Sequence, residues 1–268
     1  MDVNTQNYPT APRGPPSDSQ WDIIQEYIPP AKSGGRPRRL AMREVVNALL
    51  YITVGGIQWR MLPKEYPKWQ SVYVYFQRWR DDGTWQRIHD TLRDRVRRKS
   101  GRQRQPTAGS LDSQSVKTGH TPGGIRGYDG AKHLTGRKRH ILVDTGGLLL
   151  GVIVTAASVQ DRDGARLLLE GVASCYTRLR LIWVDGAYRG ALLDWVAQHF
   201  PFRLQPLLPP KGQSGFALLA RRWVVERTFA WFGWQRRLAK DYERLPASSE
   251  AFIHLAMIRL LLRRLAPS

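Results

Sequence analysis

A chain of 268 residues with 42% hydrophobic content and ten tryptophans can build one large domain or two smaller ones, which excludes disorder along its whole length. Lysine and arginine number 42 against 22 acidic residues, a formal charge of +20, and a surface of that sign calls for an anionic partner, most commonly nucleic acid. The uncharged run Gly146 to Gln160 is too short for a membrane span of about 20 apolar residues, no basic cluster precedes an apolar signal core, and a lone Cys175 excludes an intramolecular disulfide or a cysteine-rich zinc site. A cytosolic protein in contact with the genome is the expectation.

Residues 1–20, with Pro9, Pro12, Pro15 and Pro16, read as a flexible tail. From Arg43 the run VVNALLYITV predicts an apolar helix closed by Gly55-Gly56, and IQWRML then runs into Pro63. In WQSVYVYFQRW, Trp69, Val72, Tyr73 and Phe76 recur at helical spacing; after Gly83, so do Trp85, Ile88, Leu92 and Val96. Residues 21–98 are thus expected to form a helical domain, and the basic, Gly- and Pro-containing stretch at 99–109 a linker. Beyond it KRHILVD and LLLGVIVT predict two strands joined by a turn at Thr145-Gly146-Gly147. A helix near 163–174, a strand at LRLIWV, and helices at 190–199 and 215–238 follow. The closing AFIHLAMIRLLLRRL is a helix apolar on most sides, suited to a core or a subunit contact. Residues 110–268 are expected to form one α/β domain.

Carboxylates are scarce after residue 100, with only twelve in so basic a region, so their placement carries information. Asp112 lies in the extended stretch GSLDSQSVK, and Asp185 ends LRLIWVD at the C-terminal edge of a strand, where open α/β sheets place ligand groups. Asp185 would serve equally as a turn former or helix cap. Glu226 lies inside RRWVVERTFAW, one helical turn after Arg222, which would keep it ionised. An ordinary Glu–Arg pair on a solvated face is the alternative, against which stand the aromatic neighbours Trp223, Phe229, Trp231 and Trp234. Two Asp and one Glu suit two hard divalent cations, Mg2+ or Mn2+, which would activate a water or a DNA 3′-hydroxyl and stabilise the departing oxygen. The six histidines show no metal-like spacing; His133 and His140, in basic stretches, read as DNA-facing or structural.

The blocks LDSQSVK, GRKRHILVDTGGLLL, DRDGARLLLE, VDGAYRG and RRWVVERTFAWFGWQRRLAKDYE resemble the DDE transposases of bacterial insertion sequences, most closely the insertion-sequence-five group. GGIQWRMLP and WQSVYVYFQRW are similar to that group's DNA-binding region, so the resemblance covers roughly 21 to 262. It implies an RNase-H-like catalytic core in which a three-stranded meander is followed by an α-crossover to a parallel strand, with Asp112, Asp185 and Glu226 as the metal-holding catalytic trio. The related signature around the Glu places Tyr, Arg, Glu and Lys at set intervals; Arg222 and Glu226 match, whereas Leu219 and Gly233 stand where Tyr and Lys would, leaving Arg236, Arg237 or Lys240 to grip phosphate.

The resemblance also implies double-stranded DNA partners, the terminal inverted repeats and a target, a homodimer or higher oligomer in the DNA complex, and a place at the bacterial nucleoid. A helix-turn-helix-like unit at 43–82, offering Lys68, Gln70, Ser71, Gln77, Arg78 and Arg80, is the candidate reader, although any three-helix bundle would show the same pattern. Lys132, Arg137, Lys138 and Arg139 read as a basic loop before the second strand that grips phosphates beside the scissile bond, a solvated basic face being the alternative. A nuclease with the same core and a DNA-binding regulator without chemistry are the rival readings; the helical N-terminal region argues against the first and the intact trio against the second.

Overall fold

The computed structural model describes residues 14–31, 34, 38–119, 124–208 and 221–267. Residues 1–13 of the expected tail lie outside these, while its end enters a helix, α1 (Asp18–Ile24), capped by Ser17. Three helices follow: α2 (Met42–Gly55), α3 (Trp69–Asp81) and α4 (Thr84–Lys99). The Gly pair ends α2 for two reasons. Gly56 takes a left-handed φ of 68° so that its N–H reaches the Ile52 carbonyl, and a Cβ there would lie 2.9 Å from that of Arg236.

The second half supplies β1 (Ala108–Lys117), β2 (Gly127–Asp129), β3 (Leu134–Asp144) and β4 (Leu149–Ala156). It continues with α5 (Asp161–Ala173), β5 (Leu181–Val184), α6 (Ala191–His199) and β6 (Arg203–Pro206), then α7 (Trp223–Gly233) and α8 (Pro246–Leu265). β1, β3 and β4 form an antiparallel meander, and β2 also pairs with β3. Helix α5 crosses over to β5, which lies parallel to both β1 and β6. This is the mixed α/β order expected of an RNase-H-like core. The helix expected at 215–238 is α7 followed by a single 3-10 turn at Arg236–Leu238; Leu219 lies outside the described residues.

One hydrophobic core gathers Leu168, Leu169, Leu192 and Val196 of α5 and α6 with Leu111 and Ile182 of the sheet. The other joins α2, α3, α4, α7 and α8 to Ile141, Val143 and Leu149. Helix α8 is the axis of this second core: Phe252, Ile253, Leu255, Ile258 and Leu261 are fully buried, and it packs on α1 to α4 as well as on β4. The Phe252 ring lies 4.7 Å from that of Phe76 in α3. The last helix of the chain is thus the apolar partner that the N-terminal helices face.

Strand β3 departs from its sequence expectation. Arg137, Lys138 and Arg139 are not on a loop but inside the strand, buried, because helices cover both of its faces. Each is neutralised or hydrogen-bonded, as a buried cation requires. Arg137 pairs with Asp241 at 3.1 Å, Lys138 with Asp161 at 2.9 Å, and Arg139 donates to the Leu238 carbonyl. His140 is buried too, its Nε2 3.0 Å from the Thr155 hydroxyl, and burial lowers its pKa to about 4.

Candidate active site

Asp112 lies within β1 and Asp185 immediately follows β5. The parallel register pairs Ser110 with Trp183; two residues further along each strand come Asp112 and Asp185, on neighbouring strands and on the same face. Asp185 does act as the cap that its sequence allowed, since its Oδ1 accepts from Ala187 N at 2.8 Å and opens a 3-10 turn over Gly186–Tyr188. That bond occupies one oxygen and leaves Oδ2 for the site. Asp112 is arranged likewise, its Oδ1 accepting from Ser113 N at 2.8 Å.

Glu226 sits in the first turn of α7, where the positive end of the helix dipole favours a carboxylate. Helix α7 packs on β1 and β3, which carries the Glu to the two Asp. Arg222, just before the helix, stands among all three. Its Nη2 is 3.7 Å from Asp112 Oδ2, 4.0 Å from Asp185 Oδ2 and 3.5 Å from Glu226 Oε1. These are ion-pair distances rather than tight hydrogen bonds, so one guanidinium offsets part of the charge of three carboxylates without locking any of them. Burial raises the Asp112 carboxyl to about 6, in spite of the Ser113 N–H, Arg222 and Lys132, which all favour its ionised form.

Among the described residues no three acidic, histidine or cysteine groups close into a ready-made ion cage. The donor set nevertheless suits hard cations: it is all oxygen, it is triply anionic, and a positive group already stands where its members converge.

Three further groups border the trio that the sequence reading did not single out. Ser113 Oγ donates to Asp161 Oδ1 at 2.7 Å, which ties the start of α5 to β1. Lys138 and Ser113 hold the Asp161 carboxyl below its ordinary pKa against the effect of burial. The Tyr188 hydroxyl is pushed well up by burial and by Asp112, Asp161 and Asp185. Asp161 opens a helix in the block DRDGARLLLE, which was the available signal. A cleft of about 300 Å³ adjoins them, lined by Tyr128, Lys132, Asp161, Arg162 and Ala187 among others.

The candidate DNA contacts divide by exposure. Lys68, Arg78, Lys132, Arg236 and Lys240 are exposed, and Gln70, Val74 and Arg78 form a solvent-facing stripe along α3. Arg222 faces the trio. Arg80 turns inward, bonded to Asp81 and to Ser248 of α8. Arg237 is buried on Glu243 and the Ile57 carbonyl. With Arg137, Lys138 and Arg139, these two are structural cations, because their side chains are turned into the protein and bonded there rather than presented to solvent.

The family model described as "Transposase DDE domain" matches residues 103–261, and one described as "Putative transposase of IS4/5 family" matches residues 17–89. A Burkholderia cepacia protein named "Putative transposase for insertion sequence element IS402" is 31% identical over 133 residues, covering 45% of this chain and 60% of that protein. From the same organism, "Insertion element IS402 uncharacterized 16.2 kDa protein" is 28% identical over 118 residues, 39% of this chain and 79% of the relative. An uncharacterized protein of Sinorhizobium fredii is 32% identical over 66 residues, covering 25% of this chain and 53% of that protein. The alignment thus spans under two thirds of the first of these relatives. Since the DDE-domain match takes in more than half of the chain, and the three carboxylates stand around one arginine within it, the protein belongs to the transposases with a DDE domain.

Proposed function

We propose that the protein binds the terminal inverted repeats of an insertion sequence and catalyses metal-dependent cleavage and transfer of DNA strands. The observation that carries this reading is the convergence of Asp112, Asp185 and Glu226 on a single guanidinium nitrogen. Asp112 and Asp185 would each offer the oxygen not held by a backbone N–H, and Glu226 its carboxylate, to two divalent cations, Mg2+ or Mn2+. Such ions supply an activated water or 3′-hydroxyl and neutralise the departing oxygen.

The chain's own residues prepare for this chemistry. The Ser113 and Ala187 N–H groups orient the two aspartates. Arg222 holds like charges together in the free protein and becomes available to a phosphate of the transferred strand when its carboxylates take other partners. Lys132, close enough to Asp112 to favour its ionised form, with exposed Arg236 and Lys240, would grip flanking phosphates. Lys68, just before α3, and Arg78, on its exposed side, would contact the repeat. A helical reader at 21–98, a linker at 99–109 and a catalytic domain at 110–268 divide the work, with two or more copies assembling on repeat and target DNA at the nucleoid. Among the described residues no helix is long and apolar enough to cross a membrane.

Asp112→Asn, Asp185→Asn and Glu226→Gln should each abolish Mg2+-dependent cleavage of repeat-ended DNA while leaving its binding nearly intact. A variant that cleaves at the wild-type rate would remove that residue from the trio.

A further inference from the structure

Asp112 and Asp185 are fixed by adjoining strands, but Glu226 comes from a helix about 40 residues further on and needs its own means of registration. Two buried hydroxyls supply it. Ser110, 1% exposed and two residues before Asp112 on the same face of β1, donates to the Arg221 carbonyl at 3.0 Å. Arg221 holds a φ of 84°, a conformation costly for any residue with a side chain. The surroundings must therefore impose it, and the Ser110 bond is one tie that does. One turn into α7, the fully buried Thr228 shares its hydroxyl proton between the Gly147 carbonyl at 2.9 Å and its own helix's Val224 carbonyl at 3.1 Å.

Gly147 belongs to the turn between β3 and β4, and that turn is itself held firmly. Asp144 Oδ1 accepts from the N–H groups of Gly146 and Leu148 at 2.7 and 2.9 Å, and its Oδ2 is bonded by buried Arg97 of α4. Arg102 donates to Thr145 at 2.7 Å, and Arg227 to the Gly146 carbonyl at 2.9 Å. The turn passes so close beneath α7 that a Cβ on Gly147, at a φ of 77°, would lie 3.1 Å from Thr228 Oγ1 and from the Trp231 ring.

We infer that Ser110 and Thr228 are positioning residues for the third carboxylate: Ser110 ties the entry of α7 to the strand of Asp112, Thr228 seats its first turns on the β3–β4 turn, and together they set Glu226 against the two aspartates. The inference rests on the reading of the trio as metal-holding. A hydroxyl needed only for folding would affect stability alone; a positioning hydroxyl affects how well the site closes on an ion.

The test measures Mn2+ binding to the full chain by titration calorimetry without DNA, for wild type, Ser110→Ala, Thr228→Val, Thr228→Ser and Glu226→Gln. Loss of a group that orients a metal ligand typically costs about 10- to 100-fold in affinity, so Ser110→Ala and Thr228→Val should weaken Mn2+ binding by that factor while Thr228→Ser stays within about twofold of wild type. Wild-type Mn2+ affinity in both Ser110→Ala and Thr228→Val overturns the inference. If Thr228→Val does not fold, Ser110→Ala decides by itself. Wild-type affinity in Glu226→Gln instead overturns the metal reading of Glu226, a failure distinct from the first.

Discussion

Arg222 Nη2 lies 3.7 Å from Asp112 Oδ2, so the residue that leads into α7 sets its charge against the carboxylate of β1. The pair spans 110 positions of sequence and joins the two parts of the site that no local signal connects. It also makes the arginine a competitor with any cation for the same carboxylates.

That competition is measurable. The side chain of Arg222 is 26% exposed and those of its partners 16–47%, and partly screened pairs of this kind are worth ~0.2–1 kcal/mol each. Arg222→Ala is expected to tighten Mn2+ binding to the DNA-free protein by about two- to tenfold. Calorimetric titration checks it; weaker binding would mean that the guanidinium supports the site rather than competing for it.

Glu250 ties α8 to the sheet by accepting from Val154 N at 2.8 Å, and burial raises its carboxyl from 4.5 to about 7. A carboxyl whose pKa is raised by folding contributes stability that is present below about pH 4.5 and lost as pH rises through about 7. Glu250→Gln keeps the acceptor and removes the titration. It should match the wild type near pH 4 and melt higher at pH 8, by about 2–4 °C for each kcal/mol relieved. Equal melting temperatures at pH 8 in scanning calorimetry would show that Glu250 carries no such cost.

Arg137 and Asp241 form a pair whose side chains are each 1% exposed. Removing one partner leaves a buried charge, at a cost of about 3–5 kcal/mol, so Arg137→Gln is expected to unfold the protein or lower its melting temperature sharply. Exposed Lys132→Ala should leave melting unchanged and weaken DNA binding. The reverse pattern, a stable Arg137→Gln with a specific DNA defect, would return Arg137 to the DNA surface.

Helix α8 supplies the core that α2, α3 and α4 face. Leu255→Ala, at a fully buried position, should cost about 2–5 kcal/mol. Residues 21–98 without α8 would expose the buried faces of Val46, Leu49, Phe76 and Trp85 and are expected to melt without cooperativity. A sharp two-state transition in that fragment would show that the helices fold without α8.

Local physics determined much of this protein before any contact was known. Apolar repeats at helical spacing placed α2, α3 and α4, β-rich runs around Gly146-Gly147 placed the β3–β4 hairpin, and an apolar run ending in Asp185 placed a carboxylate at a strand's edge. The few carboxylates after residue 100 also stand out in a chain of charge +20, Asp112 within a strand, Asp185 after one and Glu226 in the first turn of a helix, but grouping the three as one site came from the resemblance to DDE transposases. Partnership was not legible. Arg137, Lys138 and Arg139 have the appearance of a DNA-facing run, since charge along a chain does not reveal what covers it. They are interior because helices enclose β3 on both faces and because Asp241, Asp161 and the Leu238 carbonyl arrive from elsewhere to satisfy them. The same holds for Glu226: helical spacing gave it Arg222, but only the seating of α7 on β1 and the β3–β4 turn put both beside Asp112 and Asp185. Periodicity reports which side of an element is buried; what it is buried against depends on contacts between distant residues, and those decided which cations stay exposed.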